Sequence, residues 1–409
     1  MATANSDKDT WCVYPFIHLA TQTDGQILPC CIAKPYKNLN LKNQTIADAW
    51  HSEEVNSVRT KMLQGEIVPN CIDCYNVEKS GSVSYRQKSN NFYMKKYGIN
   101  QNDYNDNTHL PISRLQILDL RLGNTCNLKC IMCRPQESHK WYEDILRLDN
   151  QNITQVIQED LHYKKEYRRS DYNWSKNNLF WQNIDVILPY LRELTFGGGE
   201  PFMLKEVEDV LQRAVSNNYA KNLELRFHTN GTYLESRHFD LLQHFKKVEL
   251  IFSIDGFKDI NYFLRYPANW AKIINAIEEN EKYVSSIETW CLCSLNAVSV
   301  YYLDQLFDFI ADKDLTKLTF DHIILGKVQN PIYMNPQILD RPRKKIIEEK
   351  WHKMIKKYPS LANVLQDNLN WILTNNNNAG FRDLQSYIEA LTRIRPLDKQ
   401  IIQDFINAT

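Results

Sequence analysis

The chain has 409 residues, 43% of them hydrophobic and 11% aromatic, enough for a sizeable core in about two or three domains. Lysine plus arginine and aspartate plus glutamate each number 49, so the net charge is zero, which disfavours a protein that grips nucleic acid mainly by its phosphates. No apolar run approaches the roughly 18 residues of a membrane span, and the opening MATANSDKDTW lacks the apolar stretch of a secretory signal, so ten cysteines point to a reducing, cytoplasmic setting.

Five of those cysteines lie before residue 75. Val13 to Ala20 is apolar and aromatic, Asp24-Gly25 signals a hairpin turn, and Gln26 to Cys31 returns as a second strand. Such a hairpin brings Cys12 towards Cys30 and Cys31. A helical pattern over 44–64 leads to CIDC, which adds Cys71 and Cys74. Two groups suit four such thiols, a structural zinc ion or an iron–sulfur cluster, and spacing alone does not choose between Cys30 and Cys31. Residues 1–87 therefore read as a small cysteine-rich hairpin and helix module, and 88–112 as a linker.

From 113 to 328 apolar runs alternate with helical patterns. The expected strands are Leu115 to Leu122, Glu193 to Phe196, Leu223 to His228, Lys247 to Ile254, Thr289 to Leu295 and Lys317 to Ile324. The alternation predicts an α/β fold of parallel βαβ units. Just after the first strand comes CNLKCIMC, with Cys126, Cys130 and Cys133 at C-x3-C-x2-C spacing. Three thiolates make a poor structural zinc site, which needs four ligands. They suit a [4Fe–4S] cube whose fourth iron keeps an open position.

Those three cysteines resemble the signature loop of the radical S-adenosylmethionine (SAM) superfamily. Further matches follow at successive strand ends, where barrels of parallel strands hold ligands. Gly198, Gly199, Glu200 and Pro201 resemble the family's GGEP, which holds the SAM amino group. Thr229, Asn230 and Gly231 resemble its TNG, and Ser253 and Asp255 fit a polar pair near the ribose and carboxylate. Arg265 stands where many relatives place an arginine on the methionyl carboxylate. The resemblance implies a partial (β/α)6 TIM-like barrel in which a [4Fe–4S] cluster cleaves bound SAM to a 5′-deoxyadenosyl radical, which takes hydrogen from a substrate C–H bond. Cys12, Gly25 and Cys30 also fit the opening of the auxiliary-cluster modules called SPASM and twitch, here ahead of the barrel. That resemblance favours Cys12, Cys30, Cys71 and Cys74 as ligands of an auxiliary iron–sulfur cluster, [4Fe–4S] rather than [2Fe–2S].

Cys291 and Cys293 share one face of the fifth strand and are expected to pack as small hydrophobes. The segment 134–185 reads as an insertion, its charged stretch Lys164 to Lys176 as a solvated face, and 329–409 as a helical extension with helices near 343–357 and 381–394. No residue identifies itself as catalytic. The implied partners are a one-electron donor resembling flavodoxin or ferredoxin and a substrate, expected to be a peptide or protein that is oxidatively modified. A sugar, aminocyclitol or nucleotide is the alternative substrate. From another class stands a zinc- or cluster-bearing binding protein without radical chemistry.

Overall fold

The computed structural model describes residues 10–104, 108–148, 151–165, 172–313, 315–374 and 380–408. The asparagine run 375–378 and part of the 164–176 stretch lie outside them. The described residues fall into two compact units, one drawn from 1–123, 170–226 and 244–246, the other from 124–169, 227–243 and 247–409. The architecture is α/β, with mostly parallel strands and helices between them. Among the described residues no helix is long and apolar enough to cross a membrane.

In the first unit, β1 (His18–Thr21) pairs antiparallel with β2 (Ile27–Leu28) and parallel with β3 (Ile117–Leu120), which pairs parallel with β4 (Glu193–Phe196). The hairpin forms where expected, but Val13 to Ile17 does not extend it. Pro15 sits in the first turn of a short helix, Tyr14–Ile17, because its fixed φ suits a helix start and it needs no N–H partner there. The pattern over 44–64 is broken at Ser52. Ser52 turns to extended backbone and its hydroxyl accepts from Val55 N at 3.3 Å, so helix Ile46–His51 gives way to helix Glu53–Leu63. Residues 88–112 hold most of helix Tyr85–Tyr97, started by a Ser84–Gln87 capping box, and this stretch belongs to the same compact unit as β1 and β3.

β5 (Glu224–Thr229) straddles the division between units. In the second unit, β6 (Lys247–Ser253), β7 (Ile287–Leu295) and β8 (Ile323–Lys327) run parallel. Along β7 burial alternates strictly, so Cys291 and Cys293 are buried beside Ile287, Thr289 and Leu295, as the period-2 pattern predicts. β8 starts later than expected. Lys317 is instead held by the preceding chain, its Nζ donating to the carbonyls of Asn280, Tyr283 and Val284 at 2.6–3.1 Å. Helices Arg341–Lys357 and Gly380–Ile394 match their periodicity, and helix Ala362–Leu373 lies between them without having been anticipated.

Candidate active site

Four thiols of the first unit line one cavity: Cys12, Cys30, Cys71 and Cys74, with Tyr14 and Arg86 beside them. The hairpin turn delivers Cys30 through Gly25 at φ +84°, where a side chain would strike Asn40 Oδ1 and Trp174 Cγ at 2.9 Å. Cys71 ends a turn opened by Pro69, and Cys74 lies in the first turn of helix Ile72–Lys79. Arg86 is anchored by Glu78 at 2.6 Å and by the Trp11 carbonyl at 2.5 Å. Cys31 is exposed and does not line the cavity; its thiol donates to Tyr85 Oη at 3.7 Å.

Burial pushes every member of this set up, Cys71 to about 12; neighbouring thiols add to it at Cys12, Cys30 and Cys71, and the Glu78 carboxylate at Cys74. Four clustered thiols, three of them buried and Cys71 half-buried, are hard to ionise unless a polycationic group shares the space, which an iron–sulfur cluster does. A zinc tetrahedron, with Zn–S bonds of about 2.3 Å, would draw its sulfurs to roughly 3.8 Å of one another. Among the described residues no three His, Cys, Asp or Glu side chains are placed to hold a single metal ion.

The second unit holds the loop of Cys126, Cys130 and Cys133, of which the first two are buried and the third half-buried. Its backbone is fixed at many points. Lys129 N donates to Tyr266 O at 2.7 Å, Ile131 N to Leu264 O at 2.8 Å, and Cys133 N to Cys130 O at 3.0 Å. Ser138 Oγ donates to Leu128 O at 2.5 Å, and Asn124 Nδ2 to Pro135 O at 2.7 Å. The Cys133 thiol donates to the Cys130 sulfur, which holds Cys130 below the usual thiol range and Cys133 above it. Three thiols on one loop, fixed at this many points, are the donor set a three-thiolate cube requires.

Asn230, beyond the end of β5, turns onto this loop, with Nδ2 3.8 Å from Cys126 Sγ and 3.0 Å from Asn127 Oδ1. Thr232 completes a ring, donating to Asn230 Oδ1 and accepting from Asn127 Nδ2, both at 2.7 Å. Thr229 Oγ1 accepts from Gly231 N at 3.0 Å, which tightens the same turn. Ser253 ends β6 half-buried. Asp255 and Arg265 meet each other, Arg265 Nε lying 2.6 Å from Asp255 Oδ2 and Nη2 3.0 Å from Oδ1. Ser294 joins the pair through its N–H, 2.8 Å from Asp255 Oδ1. Burial works against the guanidinium charge, but the Asp255 carboxylate outweighs it and holds Arg265 above its ordinary range.

Gly198, Gly199 and Glu200 lie in the first unit, after β4. Gly199 N donates to Gly123 O at 3.2 Å, and Gly198 adopts φ +97°. The buried Glu200 carboxylate accepts from Phe202 N at 3.4 Å and so caps its own turn. Cys291 and Cys293 are fully buried, and burial pushes the Cys291 thiol up to about 12, as for a packed hydrophobe. Asn127, Thr232 and Ser294 were not legible beforehand. Thr232 bonds a partner 105 residues away and Ser294 one 39 residues away, and neither distance leaves a mark in local pattern.

Residues 120–292 match the family described as Radical SAM superfamily, and residues 12–75 match SPASM, an iron–sulfur cluster-binding domain. Among curated proteins, two GTP 3′,8-cyclases from strains of Corynebacterium glutamicum are similar, 25% and 24% identical over 123 residues. The match takes in 29% of this chain and spans about a quarter, 26%, of the cyclases' length. Among solved structures, anSMEcpe with bound AdoMet and a Cp18Cys peptide is 19% identical at TM-score 0.36, covering 59% of this chain and 61% of that one. Streptococcus suis SuiB bound to the precursor peptide SuiA is 13% identical at TM-score 0.36, covering 84% of this chain and 69% of that one. With the cysteine loop and the four-thiol cavity in place, the chain carries a radical SAM domain, the kind that takes SAM and a [4Fe–4S] cluster as cofactors, preceded in sequence by an iron–sulfur-binding SPASM domain.

Proposed function

We propose that the protein oxidatively modifies a peptide or protein by removing hydrogen from one of its C–H bonds. When bound, the central cluster and SAM supply reductive C–S cleavage and a 5′-deoxyadenosyl radical. In this reading Cys126, Cys130 and Cys133 hold the cube, Asn230 steadies Cys126, and Gly198, Gly199 and Glu200 keep the SAM amino-group role that their GGEP pattern implies. Asp255, Ser253, Thr229 and Arg265 serve its ribose and carboxylate. Cys12, Cys30, Cys71 and Cys74 enclose the auxiliary cluster.

The observation that carries the oxidative outcome is the cavity lined by four thiols. A cluster ligated by four protein thiolates has no open iron, so moving electrons is the role left to it. A cluster held by Cys12, Cys30, Cys71 and Cys74 would supply an electron sink, which would make the net reaction an oxidation, and a flavodoxin- or ferredoxin-like donor would supply the first electron. For a peptide, β8 offers a means of binding. It ends the strand order, is half-exposed along its length, and pairs with β7 on one side. Extended peptides add to such edges through main-chain hydrogen bonds. The anSMEcpe and SuiB structures named above also contain peptides.

A nucleotide is the second reading, favoured by the likeness to the GTP 3′,8-cyclases over 123 residues. Deuterium transfer separates the two. Anaerobic, fully clustered protein reduced with dithionite should form 5′-deoxyadenosine and take deuterium into it from a deuterated cellular peptide pool, but not from deuterated GTP. Transfer from GTP alone overturns the peptide reading, and a fully clustered protein that forms no 5′-deoxyadenosine overturns both.

A further inference from the structure

The radical SAM match ends at residue 292, yet the loop carrying Cys126, Cys130 and Cys133 is gripped by residues near the far end of the chain. Helix Gly380–Ile394 places Tyr387, which is fully buried, with its hydroxyl donating to Ile131 O at 2.8 Å. Just past that helix Arg395 donates from Nη1 to Lys129 O at 2.8 Å and from Nε to Asp144 Oδ2 at 2.6 Å. Lys129 Nζ takes the other Asp144 oxygen at 2.7 Å. Trp141 lies under the guanidinium at 4.4 Å and donates from Nε1 to Cys130 O at 3.0 Å. The three consecutive carbonyls of Lys129, Cys130 and Ile131 are thus each held by a different buried side chain.

The charges in this grip do not cancel. Arg395 and Asp144 are both wholly buried, Lys129 is 16% exposed, and two cations share one carboxylate. Arg395 also keeps a buried Nη2 that has no hydrogen-bond partner among the described residues. The guanidinium satisfies the Lys129 carbonyl and one Asp144 oxygen, and its charge adds to that of Lys129 on a single carboxylate. By contrast, Arg265 and Asp255 on the same unit balance one for one.

We propose that Arg395, Lys129 and Asp144 form a net-positive clamp that raises the reduction potential of the cluster bound at Cys126, Cys130 and Cys133, and that Tyr387 and Arg395 lock the loop carrying it. Gaining an electron makes a thiolate-bound cube more negative, so a buried surplus of positive charge beside it favours the reduced form, and net charge is one of the levers that set such potentials. Arg395, Lys129, Asp144 and Tyr387 are positioning residues here, acting through the loop.

The test is an EPR-monitored redox titration of anaerobically reconstituted full-length protein, following the signal that changes on adding SAM. Arg395→Met removes a positive charge and should make that midpoint more negative. Asp144→Asn removes the negative charge and should make it more positive. Opposite signs are what loosened packing would not produce. Where Arg395→Met does not fold, Asp144→Asn decides alone, since an unmoved or lowered midpoint overturns the proposal. Tyr387→Phe should release iron to a ferrous chelator several-fold faster than the native protein, and a native release rate overturns the lock. The inference rests on the three cysteines as cluster ligands. A variant with all three changed to Ala separates the failures: a persisting SAM-responsive signal sinks the ligand assignment, whereas its loss with unmoved midpoints in the other variants sinks the clamp.

Discussion

Gly197 and Gly198 are neighbours in one run of glycines, and their substitution by alanine should have opposite consequences. At Gly198 the backbone sits at φ +97°, and an added Cβ would lie 2.8 Å from Gly123 O, 3.0 Å from Thr23 Cγ2 and 3.2 Å from Arg121 Cβ. The nearest of these is backbone, so it has no rotamer by which to withdraw. The unfavourable φ costs about 1–2 kcal/mol, and forcing a methyl against fixed atoms adds about 1–3 kcal/mol. Gly198→Ala should therefore lose about 2–5 kcal/mol, which is roughly 5–15 °C in Tm. At Gly197 the nearest atom is Arg121 Cγ at 4.0 Å and φ is not positive, so Gly197→Ala should stay within about 0.5 kcal/mol of the native protein. Anaerobic thermal unfolding of both variants, paired with SAM binding by calorimetry, reads the difference. Gly198→Ala should also weaken SAM binding, because relief of the clash moves Gly199 off Gly123 O. Equal Tm values for the two variants would refute the reasoning.

Removing the Asp255 carboxylate as Asp255→Ala strands Arg265 in a buried site, and breaking such a pair costs about 3–5 kcal/mol; chemical denaturation should show the loss, and a native midpoint would contradict it. Cys30→Ser should cut bound iron from about eight atoms towards about four, while Cys31→Ser should leave iron content unchanged, since only Cys30 lines the cavity. Colorimetric iron analysis checks both, and an equal loss in the two variants would remove Cys30 from the ligand set. His18 is buried, with Nδ1 3.0 Å from Pro29 O, and burial pulls its pKa down to about 4. From about pH 6.5 downwards the unfolded chain takes a proton that the folded one refuses, so stability falls with pH across that window, by at most about 3 kcal/mol near pH 4. His18→Gln should flatten the acid side of a stability profile measured by urea unfolding, and an unchanged slope would exclude His18 as its source.

What was readable beforehand was whatever a side chain declares locally. β4 was legible at Glu193–Phe196 as one of the apolar runs that alternate with helical patterns. Alternation along β7 announced the shared face of Cys291 and Cys293. The three cysteines of the loop were legible because their spacing is itself the ligand geometry. Failures came where a partner far away decides. Lys317 reads as strand until its ammonium is seen on the Asn280, Tyr283 and Val284 carbonyls, and Arg395 drew no reading at all, its partner Asp144 lying 251 residues earlier. Asp255 and Arg265 were each given a role towards a ligand, and their ion pair with one another was not anticipated, although ten residues and an intervening helix bring them together.

The parallel ladder between β1 and β3 has a practical consequence. His18, Leu19 and Ala20 are in register with Ile117, Leu118 and Asp119, so the cysteine-bearing segment is not a cassette that can be clipped off upstream of the catalytic fold. A shortened version starting near residue 113 would keep β3 but bare the side of it that β1 covers, a row of raw amide and carbonyl groups of the kind that recruits other chains. Anyone producing the radical domain by itself should expect precipitate, and should carry the hairpin along.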